Sequence, residues 1–371
     1  MAKHLLITGG AGFIGSHVAD ELLRHGCRVR ALDNLVAQVH GPAPKRPAYL
    51  SPEVELMVGD VRDPDTVTRA LSGVDAVMHC AALVGVGQSM YQMQEYTSVN
   101  GVGTAVLLEA LSKRPVERLV VASSMSVYGE GLYRTASQAC VTPRARSFEQ
   151  LRRGDWEVKD DRGNVLLPVP TSEWKMPMLE SVYALSKYDQ ERLCLMVGRA
   201  YGIPCVALRL FNVYGPRQAL SNPYTGVLAI FAARLLNDRR PLIFEDGLQR
   251  RDFVSVYDVA RACRLALDAP DAPGRVLNVA SGHAMTVLDV AHAMARALGK
   301  KIVPQVTGKY RVGDIRHCFA DITAAKALLR YTPEIRFEQG IVELARFLEG
   351  QIANDRAAEA NSELAERGLT L

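Results

Sequence analysis

The fold is decided by residues 8–23, TGGAGFIGSHVADELL. They place Gly9, Gly12 and Gly15 in a GxxGxxG turn that follows a short β-rich run and leads into an amphipathic helix. Because glycine has no Cβ, the backbone of such a turn can approach a pyrophosphate, whose charge the helix N-terminus stabilises. Asp33 ends the next β-rich run, about 20 residues further on, where a carboxylate accepts hydrogen bonds from a ribose diol and repels a 2′-phosphate. The stretch therefore predicts a dinucleotide site that selects NAD over NADP.

Short β-rich runs alternate with helical stretches along the rest of the chain. The runs are residues 5–8, 28–33, 54–59, 76–82, 118–124 and 205–212. Strands that alternate with helices predict right-handed βαβ units, and hence an α/β protein with a doubly wound parallel sheet, the Rossmann architecture. We expect a dinucleotide-binding domain at 1–213 and a smaller C-terminal domain at 214–350. The tail at 351–371 has little apolar face and is expected to fray.

The composition argues against several classes of protein. The 371 residues are 48% apolar and 23% charged, which suits one large α/β domain with a smaller companion. A net charge of +4, with Lys and Arg scattered through both halves, lacks the basic stripe of a nucleic-acid-binding protein. No apolar run approaches the ~20 residues of a membrane span, so we expect a cytoplasmic protein with no membrane partner. The seven cysteines are widely spaced, and without a CxxC pair or an HExxH helix we predict no metal site.

The periodicity collapses between residues 131 and 178 into polar, Arg-rich and Pro-containing sequence. This segment is long for a connection inside a compact domain, so we interpret it as an insertion into the 1–213 domain. Its role is open between a lid over the active site, an oligomer contact and a tolerated surface excursion. With one Cys and no His, it is not a self-contained zinc module.

Three residues predict a catalytic site. The segment SVYALSKYDQERL places Tyr183 and Lys187 at positions i and i+4 of one helix, where a phenol and an ammonium can approach the same reacting centre. YxxxK alone is common by chance. Its weight comes from VVASSMSVYG, a strand end that delivers Ser124 to the carboxyl edge of the sheet, where doubly wound folds bind their ligands.

With these residues in view, the chain resembles the extended short-chain dehydrogenase/reductases over about residues 3–340, the insertion excepted. The motifs that carry the resemblance are, in order, the Gly-rich loop, Asp33, GDVRD, HCAA, SVN, SSMSVYG, YALSK, RLFNVYG and RRDFVSVYDVA. The resemblance implies that Tyr183 is the catalytic base, that Lys187 holds the nicotinamide ribose and lowers the tyrosine pKa, and that Ser124 bridges the sugar hydroxyl.

The resemblance also implies the sets of residues that bind coenzyme and substrate. Those expected to bind NAD are Gly9, Gly12, Phe13, Ile14, Gly15, Asp33, Asn34, Asp60, Val61, Ala81, Asn100, Ser123, Tyr183 and Lys187. Those expected to bind a sugar nucleotide are Ser124, Asn212, Arg251, Arg311 and Asp314. Arginine suits this second set because its planar fork binds phosphate oxygens through paired hydrogen bonds. For Arg311 and Arg251 the alternative, a surface arginine in a salt bridge, stays open.

The residues before Val127 distinguish the reactions of this family. Its 4,6-dehydratases carry an Asp-Glu pair there and its decarboxylases tend to keep an acid at the second position, whereas this chain has Met125 and Ser126. A Ser or Thr there resembles the 4-epimerases, which invert a sugar hydroxyl through a transient 4-ketone. A net NAD-dependent oxidoreductase and a catalytically silent NAD-binding scaffold are the rival interpretations, although Tyr183, Lys187 and Ser124 are all retained.

Within the epimerases, the insertion and the blocks GVGQSMY, EGLYRTA and YGPRQALSNPYTG resemble the bacterial dTDP-L-rhamnose 4-epimerases. A UDP-hexose 4-epimerase is the alternative. UDP-galactose 4-epimerase has a lysine in the loop after the fourth strand, where this chain has Val84. Val84 either forms an apolar wall suited to a 6-deoxy sugar or simply packs. Two helical stretches, 91–111 and 182–201, match those that pair in related epimerases, so we expect a homodimer.

Overall fold

The computed structural model describes residues 2–42, 45–218, 226–311, 313–349 and 357–370. Among these residues the strands are β1 His4–Thr8, β2 Arg28–Asp33, β3 Glu55–Val58, β4 Ala76–His79, β5 Arg118–Ser124, β6 Leu132–Arg134, β7 Cys140–Val141, β8 Leu167–Val169, β9 Cys205–Leu210, β10 Asn212–Tyr214, β11 Leu242–Ile243, β12 Arg250–Ser255, β13 Val276–Val279, β14 Ala284–Thr286, β15 Gln305–Val306 and β16 His317–Cys318.

The α-helices of the same ranges are α1 Phe13–Arg24, α2 Ala37–His40, α3 Pro64–Ala70, α4 Val86–Ser89, α5 Met93–Tyr96, α6 Gly103–Lys113, α7 Phe148–Arg152, α8 Val182–Tyr201, α9 Val227–Leu236, α10 Val256–Asp268, α11 Val287–Ala297, α12 Thr323–Leu329, α13 Phe337–Glu349 and α14 Ala357–Glu366. A π-helical segment, Thr97–Val102, joins α5 to α6, and a 3₁₀ turn, Met125–Tyr128, follows β5. In the described part of the chain no helix combines the length and the apolarity that crossing a membrane requires.

A seven-stranded sheet forms the centre of the molecule. Its strand order is β13-β9-β5-β4-β1-β2-β3, and every neighbouring pair is parallel. Alternate side chains of β1 enter different cores, Leu5 and Ile7 on one face and Leu6 on the other. Helices α1 and α10 cover the first face, and α3, α6 and α8 cover the second. The predicted doubly wound sheet, buried on both faces, is confirmed.

A second core lies among the C-terminal elements. Helices α9, α11 and α13 pack around Leu228, Phe231, Met294 and Leu344. The chain returns to the large sheet within 214–350, because β13 pairs with β9 and α10 packs on α1. The two units therefore interleave in sequence, and the division at 213/214 stays a prediction.

The insertion folds into a small unit of its own. Strands β7, β6 and β8 form an antiparallel sheet, and Tyr133, Val158 and Leu166 form its core. These strands are only two or three residues long, too short for an alternating apolar pattern to appear in the sequence.

The C-terminal tail, predicted to fray over 351–371, is described only at residues 357–370, and fraying of the tail stays a prediction. Its described residues include α14, and the Tyr91 hydroxyl donates to the Glu363 carboxylate at 3.0 Å. The Arg367 guanidinium lies 4.4 Å from the centre of the Tyr91 ring. These contacts with the body of the protein explain why a helix with little apolar face forms here.

Candidate active site

A cavity of about 520 Å³ opens at the carboxyl edge of the parallel sheet. This is the edge at which doubly wound folds bind their ligands. It brings together most of the residues that the sequence singles out: Gly9, Gly12, Phe13, Ile14, Gly15, Asp33, Asn34, Asp60, Val61, Ala81, Ser123, Ser124, Tyr183, Lys187, Asn212, Arg251 and Asp314. Asn100 and Arg311 are the two predicted site residues that do not line it.

The Gly-rich turn is shaped to receive a pyrophosphate. Gly9 has φ +69°, and a Cβ there would lie 2.9 Å from the Ala81 amide nitrogen, so the turn excludes a side chain. A Cβ on Gly12 would meet only the Gly9 carbonyl oxygen, at 3.4 Å, and would otherwise fill the cavity. Helix α1 begins directly after Gly12, with no side chain capping it and no acidic residue in its first turn. Its free amide groups can therefore bind phosphate oxygens.

Asp33 is held rigidly at the end of β2. Its carboxylate accepts hydrogen bonds from the Ala11 amide at 3.0 Å and the Leu35 amide at 2.9 Å, and its side chain is buried. The Ala11 bond ties the carboxylate to the Gly-rich turn, so the residues expected to bind pyrophosphate and ribose form one unit. Beside them, hydrogen bonds from Arg62 hold the pKa of the Asp60 carboxyl below its usual value.

Tyr183 and Ser124 meet where α8 begins and β5 ends. Ser181 caps α8, its hydroxyl oxygen accepting from the Ala184 amide at 3.1 Å, which places Tyr183 in the first turn. Burial raises the pKa of the Tyr183 phenol, and a hydrogen bond with Ser124 opposes that rise. The Ser124 hydroxyl also bonds to the Ser126 hydroxyl at 2.5 Å.

Lys187 lies one turn further along α8 and is buried. Its ammonium donates to the Gln190 side-chain oxygen at 2.6 Å. Burial lowers the pKa of Lys187 to about 8. The resemblance implied that this lysine lowers the tyrosine pKa, but in the protein alone Ser124 is the group that opposes the rise for Tyr183.

Asn100 lies outside the residues that line the cavity, and its contact with NAD stays a prediction. Its amide accepts from the Leu83 amide at 2.7 Å and donates to the Leu83 carbonyl at 3.1 Å and to the Ser186 hydroxyl at 2.9 Å. It therefore faces the loop after β4 instead of the cavity, and fixes the backbone of Leu83, which does line the cavity.

Arg311 also lies outside the residues that line the cavity, and its contact with a sugar nucleotide stays a prediction. Its guanidinium pairs with Asp314 at 2.9 Å and stacks over the Phe244 ring at 4.6 Å, outside the cavity lining. The salt bridge that the alternative interpretation requires is therefore present for Arg311. Arg251 does line the cavity, with part of its guanidinium bonded to the carbonyls of Ile315 and Arg316 at 2.5 and 2.9 Å.

Two cavity residues carry buried polar atoms that lack a partner in the described part of the chain. They are the side-chain oxygens of Asn212 and Gln218. A buried acceptor without a donor is costly, so both atoms are suited to accept from a bound ligand. The sequence analysis found Asn212 but missed Gln218. It also missed His40, whose Nε2 lies 3.7 Å from the Asp33 carboxylate in the same cavity.

Val84 lines the cavity and is 43% exposed. Leu83, Val86 and Met125 line it too. Of the two interpretations of Val84, the structure therefore favours the apolar wall.

The insertion contacts the cavity residue Asp314, since the Arg146 guanidinium donates to the Asp314 carbonyl at 3.2 Å. Five charged residues form an anchor cluster that joins it to the rest of the chain: Arg146, Glu157, Glu245, Asp246 and Arg316. Arg316 is fully buried and bonds to Glu157 at 2.5 Å and to Glu245 at 3.0 Å. No residue of 131–178, all of which are described, lines the cavity. The insertion thus contacts cavity residues from outside and does not itself line the cavity.

Comparison with known proteins finds one matching family model and similar epimerases. Residues 5–147 and 168–280 match the model of the NAD dependent epimerase/dehydratase family, and the unmatched stretch falls inside the insertion. A dTDP-L-rhamnose 4-epimerase from Burkholderia thailandensis is 37% identical over 351 residues, which are 93% of this chain and 95% of that protein.

Solved structures agree. The UDP-glucose 4-epimerase of Thermotoga maritima with UDP-glucose has a TM-score of 0.76 and 29% identity, covering 93% of this chain and 98% of that one. The UDP-glucose 4-epimerase of Thermus thermophilus in complex with NAD has a TM-score of 0.74 and 30% identity, covering 94% and 100%. The predicted Rossmann architecture is thereby confirmed.

Proposed function

The chain belongs to the NAD dependent epimerase/dehydratase family, and from that premise we propose that it is a sugar-nucleotide 4-epimerase that interconverts dTDP-L-rhamnose and dTDP-6-deoxy-L-talose. One observation carries the reaction type. Tyr183, Ser124 and Lys187 share a single cavity in which the residues after Ser124 are Met125 and Ser126. The acid pair that a dehydration would need is absent from these two positions.

The cavity fits NAD, the coenzyme of the family. The Gly-rich turn and the first turn of α1 would hold the pyrophosphate, Asp33 the adenosine ribose, and Lys187 the nicotinamide ribose. Bound NAD supplies the reversible acceptance of hydride from the sugar carbon. Since this coenzyme is restored within each cycle, none has to be added.

Side chains of the protein transfer the proton of the sugar hydroxyl. Tyr183 accepts the proton of the sugar hydroxyl while Ser124 holds the same oxygen through a hydrogen bond. A buried phenol is a poor base, because burial raises its pKa. Positive charge beside the phenol lowers its pKa again. The Lys187 ammonium supplies part of this charge from the next turn of α8.

The nucleotide must stay bound while the intermediate ketone turns over and presents its other face. Arg251 and Asn212 line the cavity and are suited to hold the diphosphate of a sugar nucleotide, and Asp314, which also lines it, is suited to accept from the hydroxyls of the nucleotide ribose. Holding the diphosphate firmly leaves the sugar itself free to rotate.

The choice of a 6-deoxy sugar rests on the apolar wall and on the similarity to the Burkholderia protein. Leu83, Val84, Val86 and Met125 offer hydrocarbon where a methyl group can be buried without loss of a hydrogen bond. A hexose would place a hydroxyl against the same wall, where it would lack a partner.

A substrate panel tests the proposal. UDP, dTDP and GDP sugars are incubated with purified protein without added coenzyme, and products are identified by NMR. We expect the dTDP-6-deoxy-L-sugar to be epimerised fastest. Faster turnover of UDP-glucose or UDP-galactose would instead support the UDP-hexose alternative, to which the relatives with UDP-glucose point. A requirement for added NAD, with release of a keto sugar, would identify a net oxidoreductase, and no reaction with any sugar would favour a silent scaffold.

A variant tests the wall separately. Val84→Lys introduces the residue type that UDP-galactose 4-epimerase has at this position. Val303→Lys makes the same change at an exposed valine that does not line the cavity. We expect Val84→Lys to lower kcat/KM for the 6-deoxy sugar by about tenfold, because the methyl group of the sugar would then contact a charged side chain instead of a hydrocarbon one. Val303→Lys should leave kcat/KM unchanged.

A further inference from the structure

A buried polar network lies behind Lys187. It consists of Thr8, His79, Thr104, Lys187 and Gln190, and we call it the Gln190 network. Gln190 is its centre, since its oxygen accepts from the Lys187 ammonium at 2.6 Å and its nitrogen donates to the Thr104 hydroxyl oxygen at 2.8 Å. All five side chains are buried. The motif YxxxK gives no indication of it.

The orientation of the Gln190 amide is fixed chemically. Its nitrogen also lies 3.2 Å from the Ala81 carbonyl oxygen, which can only accept. The Thr104 hydroxyl gives its own proton to the Asn100 carbonyl at 2.5 Å, so its oxygen is free to accept from Gln190. Turning the amide over would place NH₂ against an ammonium and oxygen against two acceptors. The side-chain oxygen therefore has to face Lys187.

His79 keeps the network in place without adding charge. Its two ring nitrogens bond to Thr8 at 2.7 Å and to Thr104 at 2.9 Å, which ties the network to β1 under the Gly-rich turn. Burial, with a smaller effect from Lys187, lowers the pKa of His79 to about 3. The ring is therefore neutral at working pH.

The other groups that face Lys187 do not replace this contact. Burial raises the thiol pKa of Cys80 to about 12 and that of Cys194 well above its usual value, so both thiols are neutral. The Glu191 carboxylate is already bonded to Arg209 at 2.7 Å and to the Ser123 hydroxyl at 2.7 Å. Tyr183 lies on the same helix one turn earlier. Among the described residues, Gln190 is thus the hydrogen-bond acceptor of the lysine.

We propose that Gln190 is a positioning residue for the reaction: its locked oxygen keeps the Lys187 ammonium protonated and aimed at the cavity. The proposal rests on the proposed function as far as the role of Lys187 is concerned. A neutral acceptor suits the task, because a carboxylate there would cancel the positive charge that Tyr183 and a ribose need. Burial lowers the pKa of Lys187 to about 8, near working pH, so loss of the hydrogen bond to Gln190 would be enough to change the fraction of Lys187 that is protonated.

The test uses two substitutions with opposite expected effects on the Lys187 pKa. Gln190→Met removes the acceptor and should lower the Lys187 pKa by about one unit, while Gln190→Glu adds a carboxylate and should raise it by a similar amount. The pKa is read directly from the side-chain NMR signal of ¹³C-labelled lysine in the protein as purified, assigned by its loss in Lys187→Met. Gln339→Glu, which makes the same substitution at an exposed position on α13, should leave it unmoved.

The alkaline limb of kcat against pH is measured in the same variants. It should move down in Gln190→Met and up in Gln190→Glu. The proposal is overturned if Gln190→Met leaves the Lys187 pKa unchanged, or if both Gln190 substitutions move it in the same direction. If the NMR pKa moves as expected while the alkaline limb stays in place, Gln190 does position the ammonium and the catalytic role of Lys187 is what fails. Should Gln190→Glu not fold, the Met variant alone decides the matter.

Discussion

At the scale of single residues, Tyr183 carries the step of the proposed reaction that is easiest to test. It lies at the first turn of α8 beside Ser124, in a cavity where burial alone would make its phenol a weak base. A free phenol has a pKa of about 10, so work near neutrality needs a fall of about three units, or ~4 kcal/mol. The protein without coenzyme does not supply that fall. The positive charges of Lys187 and of the nicotinamide together are expected to do so.

Removal of the Tyr183 hydroxyl should therefore abolish most turnover while sparing binding. We expect Tyr183→Phe to lower kcat by about 10²-fold or more, the scale of a lost general base, because phenylalanine keeps the ring and its edge-to-face contact with Tyr96. Calorimetric titration with NAD and the sugar nucleotide should give affinities close to those of the parent. Near wild-type turnover in this variant would rule out Tyr183 as the base.

Asp33 should determine the choice of coenzyme. Its carboxylate is fixed by two backbone amides and cannot swing away from a 2′-phosphate, and like charges brought together cost several kcal/mol. We expect NADP to bind at least about 10²-fold more weakly than NAD in a direct titration, and Asp33→Ser to narrow the ratio. Equal affinity of the parent protein for the two coenzymes would contradict the assignment.

The spacing of residues along helices and strands predicts the positions of Tyr183, Lys187 and Asp33. It does not show which distant backbone groups a side chain bonds to. The i, i+4 relation put Tyr183 and Lys187 on one face of α8. Nothing in SVN shows that Asn100 bonds to both backbone groups of Leu83. Gln190 was missed for a related reason, since its role depends on Thr104 and on a carbonyl at the end of β4.

At the scale of elements, the insertion combines a small apolar core with buried charge pairs. Its own core contains Tyr133, Val158 and Leu166, and the anchor cluster joins it to the rest of the protein together with backbone hydrogen bonds such as that from the Thr171 amide to the Phe319 carbonyl at 2.8 Å. The sequence could not predict this, because arginines and glutamates in an aperiodic segment are typical of an exposed loop, and their partner Arg316 is 159 residues from Glu157. Arg146 also donates to the Asp314 carbonyl at 3.2 Å.

Two arginines of the insertion make a matched pair for testing the anchor. Arg146 is 3% exposed and pairs with buried Glu245, whereas Arg144 is 83% exposed and pairs with Asp161. We expect Arg146→Ala to lower the free energy of unfolding by about 3 kcal/mol, since it leaves a buried carboxylate less well paired, and Arg144→Ala to change it by less than ~0.5 kcal/mol. Urea denaturation measures both.

The same pair distinguishes a support for the substrate wall from a surface excursion. Arg146→Ala should raise KM for the sugar nucleotide while leaving NAD affinity close to that of the parent, because Asp314 lies on the substrate side of the cavity. Equal stability and equal KM in the two variants would show that the insertion contributes nothing to the site.

At the scale of the whole molecule, α8 connects catalysis to assembly. Its inner side carries Lys187, Gln190 and Cys194, all buried. Its outer side exposes Leu185 and Met196, eleven positions apart and therefore on one face of the helix. Val102, on the neighbouring predicted dimer stretch, is exposed as well. Large apolar side chains in exposed positions on two adjacent helices mark a surface suited to burial against another protein.

We therefore expect a homodimer built on these helices, with a dimer mass by light scattering at micromolar concentration. The double substitution Leu185→Glu with Met196→Glu should give a monomer, because a two-fold axis would bring the new carboxylates of both copies into one apolar interface, where they would be desolvated and would repel each other. The control is Trp174→Glu with Met176→Glu, which changes two equally exposed apolar residues away from these helices and should leave the dimer intact. A monomer mass for the parent protein, or dissociation by the control pair alone, would place the interface elsewhere or remove it. Because association stabilises the folded state, the monomer should also show a lower melting temperature than the control.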